Sequence, residues 1–290
     1  MRLSVGTSIF QQVYGDKEGL KLIRDAGFDG VDYSFDYLPD DHPLFGENSV
    51  EYAREIREYM DRIGLVCVQA HAPFSVEYQD PFDASFFPYH AILKSMEAAA
   101  ILGAEAIVVH AITIRNGSEK LLEDYNYQYY KTLEPYAQRF GIRIAVENLF
   151  NTDRVRNTFS NRRCGTPDRV NRLLARLGQE RFTVCVDLGH AAITGFEPEE
   201  FLSGVTPGSV TLLHVQDTDY RSDSHRLPFL GQQNWENIMA TLKKIDYRGD
   251  FNLEIGTYFQ SFPSQLHGAA LTFAHRVGRY LISLFQEAEG

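Results

Sequence analysis

Short apolar runs alternate with amphipathic stretches from one end of the chain to the other. The apolar runs are continuous rather than alternating, which is typical of strands buried on both faces in a parallel sheet. The eight predicted strands are Leu3–Thr7, Gly30–Ser34, Leu65–Ala70, Ala106–His110, Arg143–Glu147, Phe182–Asp187, Val210–Val215 and Phe251–Glu254. The eight predicted helices are Lys17–Ala26, Val50–Ile63, Ala84–Leu102, Ser118–Phe140, Pro167–Leu177, Pro198–Leu202, Trp235–Lys244 and Gln265–Glu287.

Glycine precedes many of these strands, for example at Gly64, Gly103 and Gly141. A helix in repeating helix–strand units commonly ends at such a glycine. A doubly wound open sheet would be expected to carry a Gly-rich phosphate fingerprint after its first strand, and GTSIFQQ has the wrong spacing. We therefore predict an α/β fold, a single (β/α)8 TIM barrel that spans residues 1–290 as one domain.

Four predicted strands carry an ionisable side chain at or one residue before their end: Glu147, Asp187, His214 and Glu254 lie 40, 27 and 40 residues apart. Such groups are costly to bury unless they are paired or bind a metal. The C-terminal ends of barrel strands form the functional rim of the fold. We predict that these four side chains hold one divalent metal ion. Three carboxylates and one imidazole suit Mn²⁺ first, with Mg²⁺, Co²⁺ and Zn²⁺ as alternatives.

Further histidines follow the predicted strands. His71 directly follows strand three, and His110 ends strand four. His190 lies three residues after Asp187, and His225 follows strand seven. A single histidine at a strand end is often only a hydrogen-bonded core residue, but chance would rarely place so many there. We interpret His71, His110, His190 and His225 as substrate-binding residues.

The bulk composition narrows the class of protein. The chain has 28 basic and 39 acidic residues, a net charge of −11, which disfavours a main role in binding nucleic acid. The three cysteines show no CxxC spacing, which fits a reducing compartment. The N-terminal segment MRLSVGTSIF lacks the apolar region of a signal peptide, and no stretch reaches the roughly 20 apolar residues of a membrane span. We expect a cytoplasmic protein with no membrane partner.

At these residues the chain resembles the xylose isomerase-like TIM-barrel superfamily, which contains sugar and sugar-phosphate isomerases and epimerases together with metal-dependent AP endonucleases. The resemblance covers essentially the whole chain. Its most specific segments are AVENLF, CVDLGHA, LLHVQDTD and NLEIG, whose Glu147, Asp187, His214 and Glu254 match the family's metal ligands in order and strand position. In SHRLPFLGQQNWENI the chain departs from the family, since Gln233 replaces the second glycine of a GxG after Gly231.

The ketose 3-epimerase branch implies a mechanism. By that resemblance Glu147 and Glu254 are also catalytic: one removes the proton alpha to a ketose carbonyl, and the other returns a proton to the opposite face. The metal polarises the carbonyl and stabilises the enediolate. The resemblance also implies substrate contacts from His190 and from Arg221, with Arg226 as the alternative to Arg221. The implied function is that of a metal-dependent sugar or sugar-phosphate isomerase or epimerase.

The AP endonuclease branch of the superfamily gives one of two alternatives to the isomerase or epimerase function. Its larger ligand set for three zinc ions is matched by His71, His110, Glu147, Asp187, His190, His214, Asp223, His225 and Glu254. The loop after strand two carries Asp36, Asp40 and Asp41, which makes it a poor surface for phosphates. The second alternative is a dehydratase-type lyase that acts on a polyol or inosose.

The sequence does not identify the sugar, and it does not show whether the sugar is phosphorylated. The arginines after strands four and five that are candidates for binding a phosphate are Arg115, Arg154, Arg156, Arg162 and Arg163. We expect a small-molecule sugar or sugar phosphate as the partner and no nucleic acid. The sequence is compatible with assembly of the protein into a homo-oligomer.

Overall fold

The computed structural model describes residues 1–74, 87–113, 118–153 and 158–288. The predicted helix start at Ala84 lies outside the described residues. So do Arg115, Arg154 and Arg156, three of the arginines considered for phosphate binding.

In the described part of the chain, eight parallel strands form one barrel and two short strands form a separate antiparallel pair. The strands are β1 (Leu3–Gly6), β2 (Gly30–Ser34), β3 (Val66–His71), β4 (Ala106–Val109), β5 (Arg143–Glu147), β6 (Asn151–Asp153), β7 (Thr158–Ser160), β8 (Phe182–Asp187), β9 (Val210–His214) and β10 (Phe251–Leu253). The order around the sheet is β10-β1-β2-β3-β4-β5-β8-β9. A parallel bridge between Val215 and Leu253 joins the two end strands. The predicted fold class, a (β/α)8 barrel, is confirmed.

Helices surround the barrel. They are α1 (Ser8–Tyr14), α2 (Asp16–Asp25), α3 (Ser49–Ile63), α4 (Phe87–Leu102), α5 (Glu119–Phe140), α6 (Pro167–Leu177), α7 (Leu188–Ile193), α8 (Pro198–Gly204), α9 (Trp235–Lys244), α10 (Gly256–Gln260) and α11 (His267–Glu287). Each predicted helix corresponds to one of these. Gly64 and Gly141 end α3 and α5 in the left-handed conformation, with φ of 69° and 72°, as predicted for those positions. The short helices α1, α7 and α10 were not predicted.

A small apolar layer inside the barrel supports the rim. Ala106, Val108, Ala145, Cys185 and Leu212 form a buried cluster separate from the main core, which lies between strands and helices. Side chains two residues apart on a strand point to the same face. The residues two positions beyond Ala145, Cys185 and Leu212 are Glu147, Asp187 and His214. The predicted metal ligands therefore form the next layer above this apolar cluster.

A buried carboxylate fastens the start of α2 to its neighbours. Asp16 Oδ1 accepts hydrogen bonds from Gln11 Nε2 at 2.8 Å and Tyr33 OH at 2.7 Å. Its Oδ2 accepts one from Tyr52 OH at 2.7 Å and lies 3.4 Å from His42 Nε2. Burial by itself would raise the pKa of Asp16, but these partners outweigh it and lower the pKa to about 2.

We expect Asp16→Asn to remove a pH-dependent part of the stability. The folded-state pKa lies below the unfolded value of about 3.9. The stabilisation is therefore fully present above about pH 4 and is lost as the pH falls towards about 2. At about 1.4 kcal/mol per pKa unit, the loss at neutral pH is about 2.5 kcal/mol. Urea unfolding at pH 6 and pH 3 measures it, with Asp25→Asn in an exposed ion pair as the control. Equal stability of Asp16→Asn and the wild type at pH 6 would contradict this account.

No helix in the described ranges combines the length and the apolar character needed to cross a membrane. Cys67, Cys164 and Cys185 are free and buried.

Candidate active site

The four predicted metal ligands meet at the C-terminal end of the barrel. Glu147, Asp187 and His214 end β5, β8 and β9, and Glu254 directly follows β10. One ligand atom from each lies within 4.8 Å of those of the other three. Glu147 Oε1 is 3.0 Å and Glu254 Oε2 is 3.3 Å from the same nitrogen, His214 Nδ1. The structure therefore brings these side chains to one point, and their binding of a metal stays a prediction.

The chemistry of this cluster fits a divalent cation. Three carboxyl groups lie close together in a buried place, where like charges repel and the loss of hydration is costly. Glu254 Oε2 is buried and has no hydrogen-bond partner among the described residues. A divalent ion bound by carboxylate oxygens and one imidazole nitrogen would neutralise these charges and satisfy this atom.

The two glutamates of the cluster differ in acidity. Burial opposes the ionisation of Glu147, but the nearby His214 and His110 outweigh burial and hold the pKa of Glu147 well below its usual value. Burial raises the pKa of Glu254 to about 8, and His214 and His225 offset only part of that effect. Near neutral pH this pair therefore holds one ionised and one protonated carboxyl group before any metal binds.

A second group of possible ligands lies next to the first and shares Glu147 with it. It consists of His71, His110 and Glu147. His110 Nε2 is 2.8 Å from Glu147 Oε2, and the Nε2 atoms of His71 and His110 are 3.1 Å apart. A third group consists of His190, Asp223 and His225, in which Asp223 Oδ1 is 3.5 Å from His190 Nε2 and 3.3 Å from His225 Nε2.

Three of these histidines are oriented by the backbone. The Nδ1 atoms of His71, His190 and His225 lie 2.7, 2.9 and 2.9 Å from the carbonyl oxygens of Ala72, Asn148 and Glu254. A carbonyl oxygen can only accept, so Nδ1 carries the proton and donates it. In the neutral ring Nε2 is then an acceptor or metal ligand that faces the other site residues.

The site opens into a cavity of about 430 Å³. Its polar lining includes the four histidines His71, His110, His190 and His225, together with Asp36, Glu147, Asp223 and Glu254. Its apolar lining includes Ile9, Phe74, Leu149, Phe150, Ile255 and Phe259. The predicted substrate-binding histidines are therefore all at the cavity, and their contact with substrate stays a prediction. A cavity of this size suits a small molecule.

The predicted substrate-binding arginine lies elsewhere. Arg221 is exposed on the loop after β9 and does not line the cavity, and the alternative Arg226 bonds to Asp219 Oδ2 at 3.2 Å. The guanidinium that lines the described part of the cavity belongs to Arg163, whose Nε donates to the carbonyl oxygen of Ala111 at 3.1 Å. The geometry does not support a substrate contact from Arg221, and that role remains only a prediction.

Asp32 is a site residue that the sequence analysis missed. It is 2% exposed, and its Oδ2 accepts hydrogen bonds from Gln69 Nε2 at 2.8 Å and Asn252 Nδ2 at 3.0 Å. The same oxygen lies 3.2 Å from His214 Nε2. A carboxylate behind a histidine fixes the ring and raises its basicity as a ligand. Asp32 thus lies against Nε2 of His214, while Nδ1 of the same ring lies near Glu147 and Glu254. The sequence did contain a signal for Asp32, namely an acidic residue within the apolar run of β2.

Gln216 links two of the ligand groups and was also missed. Its Nε2 donates to Asp187 Oδ2 at 3.0 Å and to Asp223 Oδ1 at 3.3 Å, and its Oε1 accepts from the backbone N–H of His225 at 2.9 Å. A Cβ atom at Gly189 would lie only 2.5 Å from the Gln216 side chain, which explains the glycine. Nothing in the sequence pattern distinguishes Gln216 from an ordinary loop residue.

Comparison with known proteins identifies the class of this barrel. The xylose isomerase-like TIM-barrel family matches residues 20–271, and the chain belongs to that family. The uncharacterized protein y4fM of Sinorhizobium fredii is 24% identical over 280 residues, which cover 83% of this chain and 81% of that protein.

Solved structures agree with this assignment of the fold. A D-tagatose 3-epimerase-like protein superposes with a TM-score of 0.74 at 18% identity, covering 99% of both chains. The IOLI protein with a bound zinc atom superposes with a TM-score of 0.74 at 15% identity, covering 100% of both chains. At these identities the likeness concerns the fold.

Proposed function

We propose that this protein is a metal-dependent sugar isomerase or epimerase that transfers a proton at the carbon alpha to a ketose carbonyl. The observation that carries the proposal is the pair Glu147 and Glu254, whose carboxylate oxygens approach the same His214 nitrogen at 3.0 and 3.3 Å at the open end of the barrel. The likeness to a D-tagatose 3-epimerase-like protein and to a zinc-containing barrel supports it.

The residues of the chain have distinct tasks in this proposal. Glu147, Asp187, His214 and Glu254 would hold the divalent ion, which supplies Lewis-acid polarisation of the substrate carbonyl when bound. Glu147 and Glu254 also carry the proton transfer: one of them accepts the proton from the alpha carbon, and the other returns a proton to the opposite face. The apolar lining, which includes Phe150 and Phe259, excludes water from the carbon side of the sugar.

Solvent exchange tests the reaction type. With Mn²⁺-loaded protein and D-tagatose in D₂O, we expect deuterium at the carbon alpha to the carbonyl, because a carboxyl group that has taken up a proton exchanges it with solvent before returning it. Proton NMR of the product measures this, and protein treated with EDTA is the control. If the sugar is converted without deuterium uptake, a hydride shift is the better account. If a panel of ketohexoses gives neither exchange nor product, the proposed function is wrong.

Phosphodiester hydrolysis of the AP endonuclease type is a second candidate function. It is favoured by one observation, the three groups of possible metal ligands around a single cavity. The acidic loop after β2, with exposed Asp40 and Asp41, opposes it because DNA binding requires cationic surface.

We expect an oligonucleotide with one abasic site to stay intact in the presence of this protein and Mn²⁺ or Zn²⁺. The same preparation should contain one tightly bound ion per chain by elemental analysis. Efficient metal-dependent nicking together with three zinc ions per chain would replace the isomerase proposal and make His71, His110, Asp223 and His225 metal ligands.

A further inference from the structure

We propose that Asp36 is a specificity residue that accepts a hydrogen bond from a hydroxyl group of an unphosphorylated sugar and disfavours phosphate esters. This inference rests on the proposed function and names the substrate class for the same cavity. It is carried by the position of Asp36, by an oxygen of its carboxyl group that has no partner, and by the charges around it.

The backbone places Asp36 firmly beside the second ligand group. Phe35, the preceding residue, donates its backbone N–H to the carbonyl oxygen of His71 at 2.8 Å and so extends the pairing of β2 with β3. Tyr37, the following residue, packs edge-on against Phe74, with ring centroids 5.4 Å apart. Phe74 in turn packs on His71 at 5.8 Å. Asp36 therefore lies between two anchored neighbours, and its side chain lines the cavity.

The carboxyl group of Asp36 lacks a donor. Its Oδ1 is buried and has no hydrogen-bond partner among the described residues. Buried polar atoms in native proteins nearly always have a partner, and a missing one indicates a ligand or water. Asp36 belongs to none of the three ligand groups, so a bound metal ion would not take up this oxygen. A sugar hydroxyl is a donor of suitable size and neutral charge.

The carboxyl groups of the cavity, and Asp36 in particular, disfavour a phosphate dianion at this wall. The carboxyl groups that line the described part of the cavity belong to Asp32, Asp36, Glu147, Asp223 and Glu254. The guanidinium in that lining, Arg163, donates through Nε to a backbone carbonyl group. Phosphate recognition normally uses cationic or backbone N–H donors directed at the ligand. A metal ion at the strand ends would offset Glu147 and Glu254 but not Asp36, so the carboxyl group of Asp36, which lies near His71, remains at this wall.

Two substitutions separate the two roles of Asp36. Asp36→Ala removes the acceptor, and Asp36→Asn keeps an acceptor oxygen but removes the negative charge. Asp41→Asn is a matched control, because it makes the same change of charge in the same loop at an exposed residue outside the cavity. The probes are D-tagatose and D-tagatose 6-phosphate with the Mn²⁺-loaded protein, and kcat and KM are measured for each.

We expect the wild type to prefer the free sugar, with Asp41→Asn unchanged. A hydrogen bond to a charged group contributes enough that its loss changes affinity by about 10- to 100-fold. Asp36→Ala should therefore raise KM for D-tagatose by about 10-fold or more with little change in kcat. Asp36→Asn should raise kcat/KM for the phosphate ester relative to the free sugar by about 10-fold.

The inference is wrong if the wild type uses the phosphate ester more efficiently than the free sugar, or if Asp36→Ala leaves KM unchanged. Absence of any turnover would instead count against the proposed function. In that case titration calorimetry of the metal-loaded protein with the same two probes still decides the inference. Tighter binding of D-tagatose that weakens in Asp36→Ala supports it, whereas tighter binding of the phosphate, or binding of neither, overturns it.

Discussion

Glu147→Gln and Glu254→Gln should each reduce turnover of a ketose by about 10⁴-fold while the protein stays folded. A glutamine side chain keeps the shape of glutamate and can offer an oxygen to a metal, but it cannot accept a proton. General acid–base groups contribute about 10² to 10⁴ in rate, and a group that is also a metal ligand lies at the upper end. Turnover and deuterium uptake from D₂O are measured with Mn²⁺ in excess, and circular dichroism checks the fold.

The control for this pair is Glu236→Gln, the same substitution at an exposed position in the first turn of α9. It should leave turnover unchanged. If Glu147→Gln or Glu254→Gln keeps near wild-type activity, that residue is only a ligand or a structural acid. If one variant loses net conversion but still exchanges deuterium, the remaining glutamate acts alone on one face of the sugar.

The barrel was predictable because its signals are local and repeated. Continuous apolar runs marked the strands, and glycines such as Gly64 and Gly141 marked helix ends, with positive φ in the structure. The metal-ligand cluster was predictable for a topological reason: the carboxyl ends of parallel strands all meet at one rim. A glutamate two residues beyond a small interior residue, as in Ala145 and Glu147, therefore points into the site.

The features that were missed depend on side-chain direction or on short segments. The helices α1, α7 and α10 have five to seven residues, too few for a helical period to show. Asp32 lies within a strand rather than at its end, and only its contact with His214 reveals its task. Arg221 was selected by resemblance within a long loop, where it is exposed, and its contact with substrate stays a prediction. Loop geometry of this kind is set by contacts such as those of Gln216, which a single sequence does not display.

Asp187→Asn should strongly reduce the part of the thermal stability that depends on added metal. A ligand that binds only the folded state stabilises it by mass action, by about 4 kcal/mol at a thousandfold excess over Kd. Asparagine keeps an oxygen that can cap α7, as Asp187 Oδ1 does through the N–H of His190 at 2.6 Å, but it lacks the charge. Melting curves with Mn²⁺ and with EDTA should therefore differ widely for the wild type and only slightly for Asp187→Asn.

Asp32→Asn should give an intermediate result in the same measurement, because Asp32 acts on the metal only through His214. Residues that position a ligand typically change metal affinity 10- to 100-fold, so the melting temperature should still respond to Mn²⁺ but at higher concentration. Arg221→Ala should bind metal as the wild type does. This order, with Asp187 before Asp32 and Arg221 last, follows from the distance of each residue from the site. If Asp187→Asn binds Mn²⁺ with wild-type affinity, the ion is not held by the four strand-end residues. If only Asp32→Asn binds Mn²⁺ with wild-type affinity, the barrel holds His214 in place without Asp32.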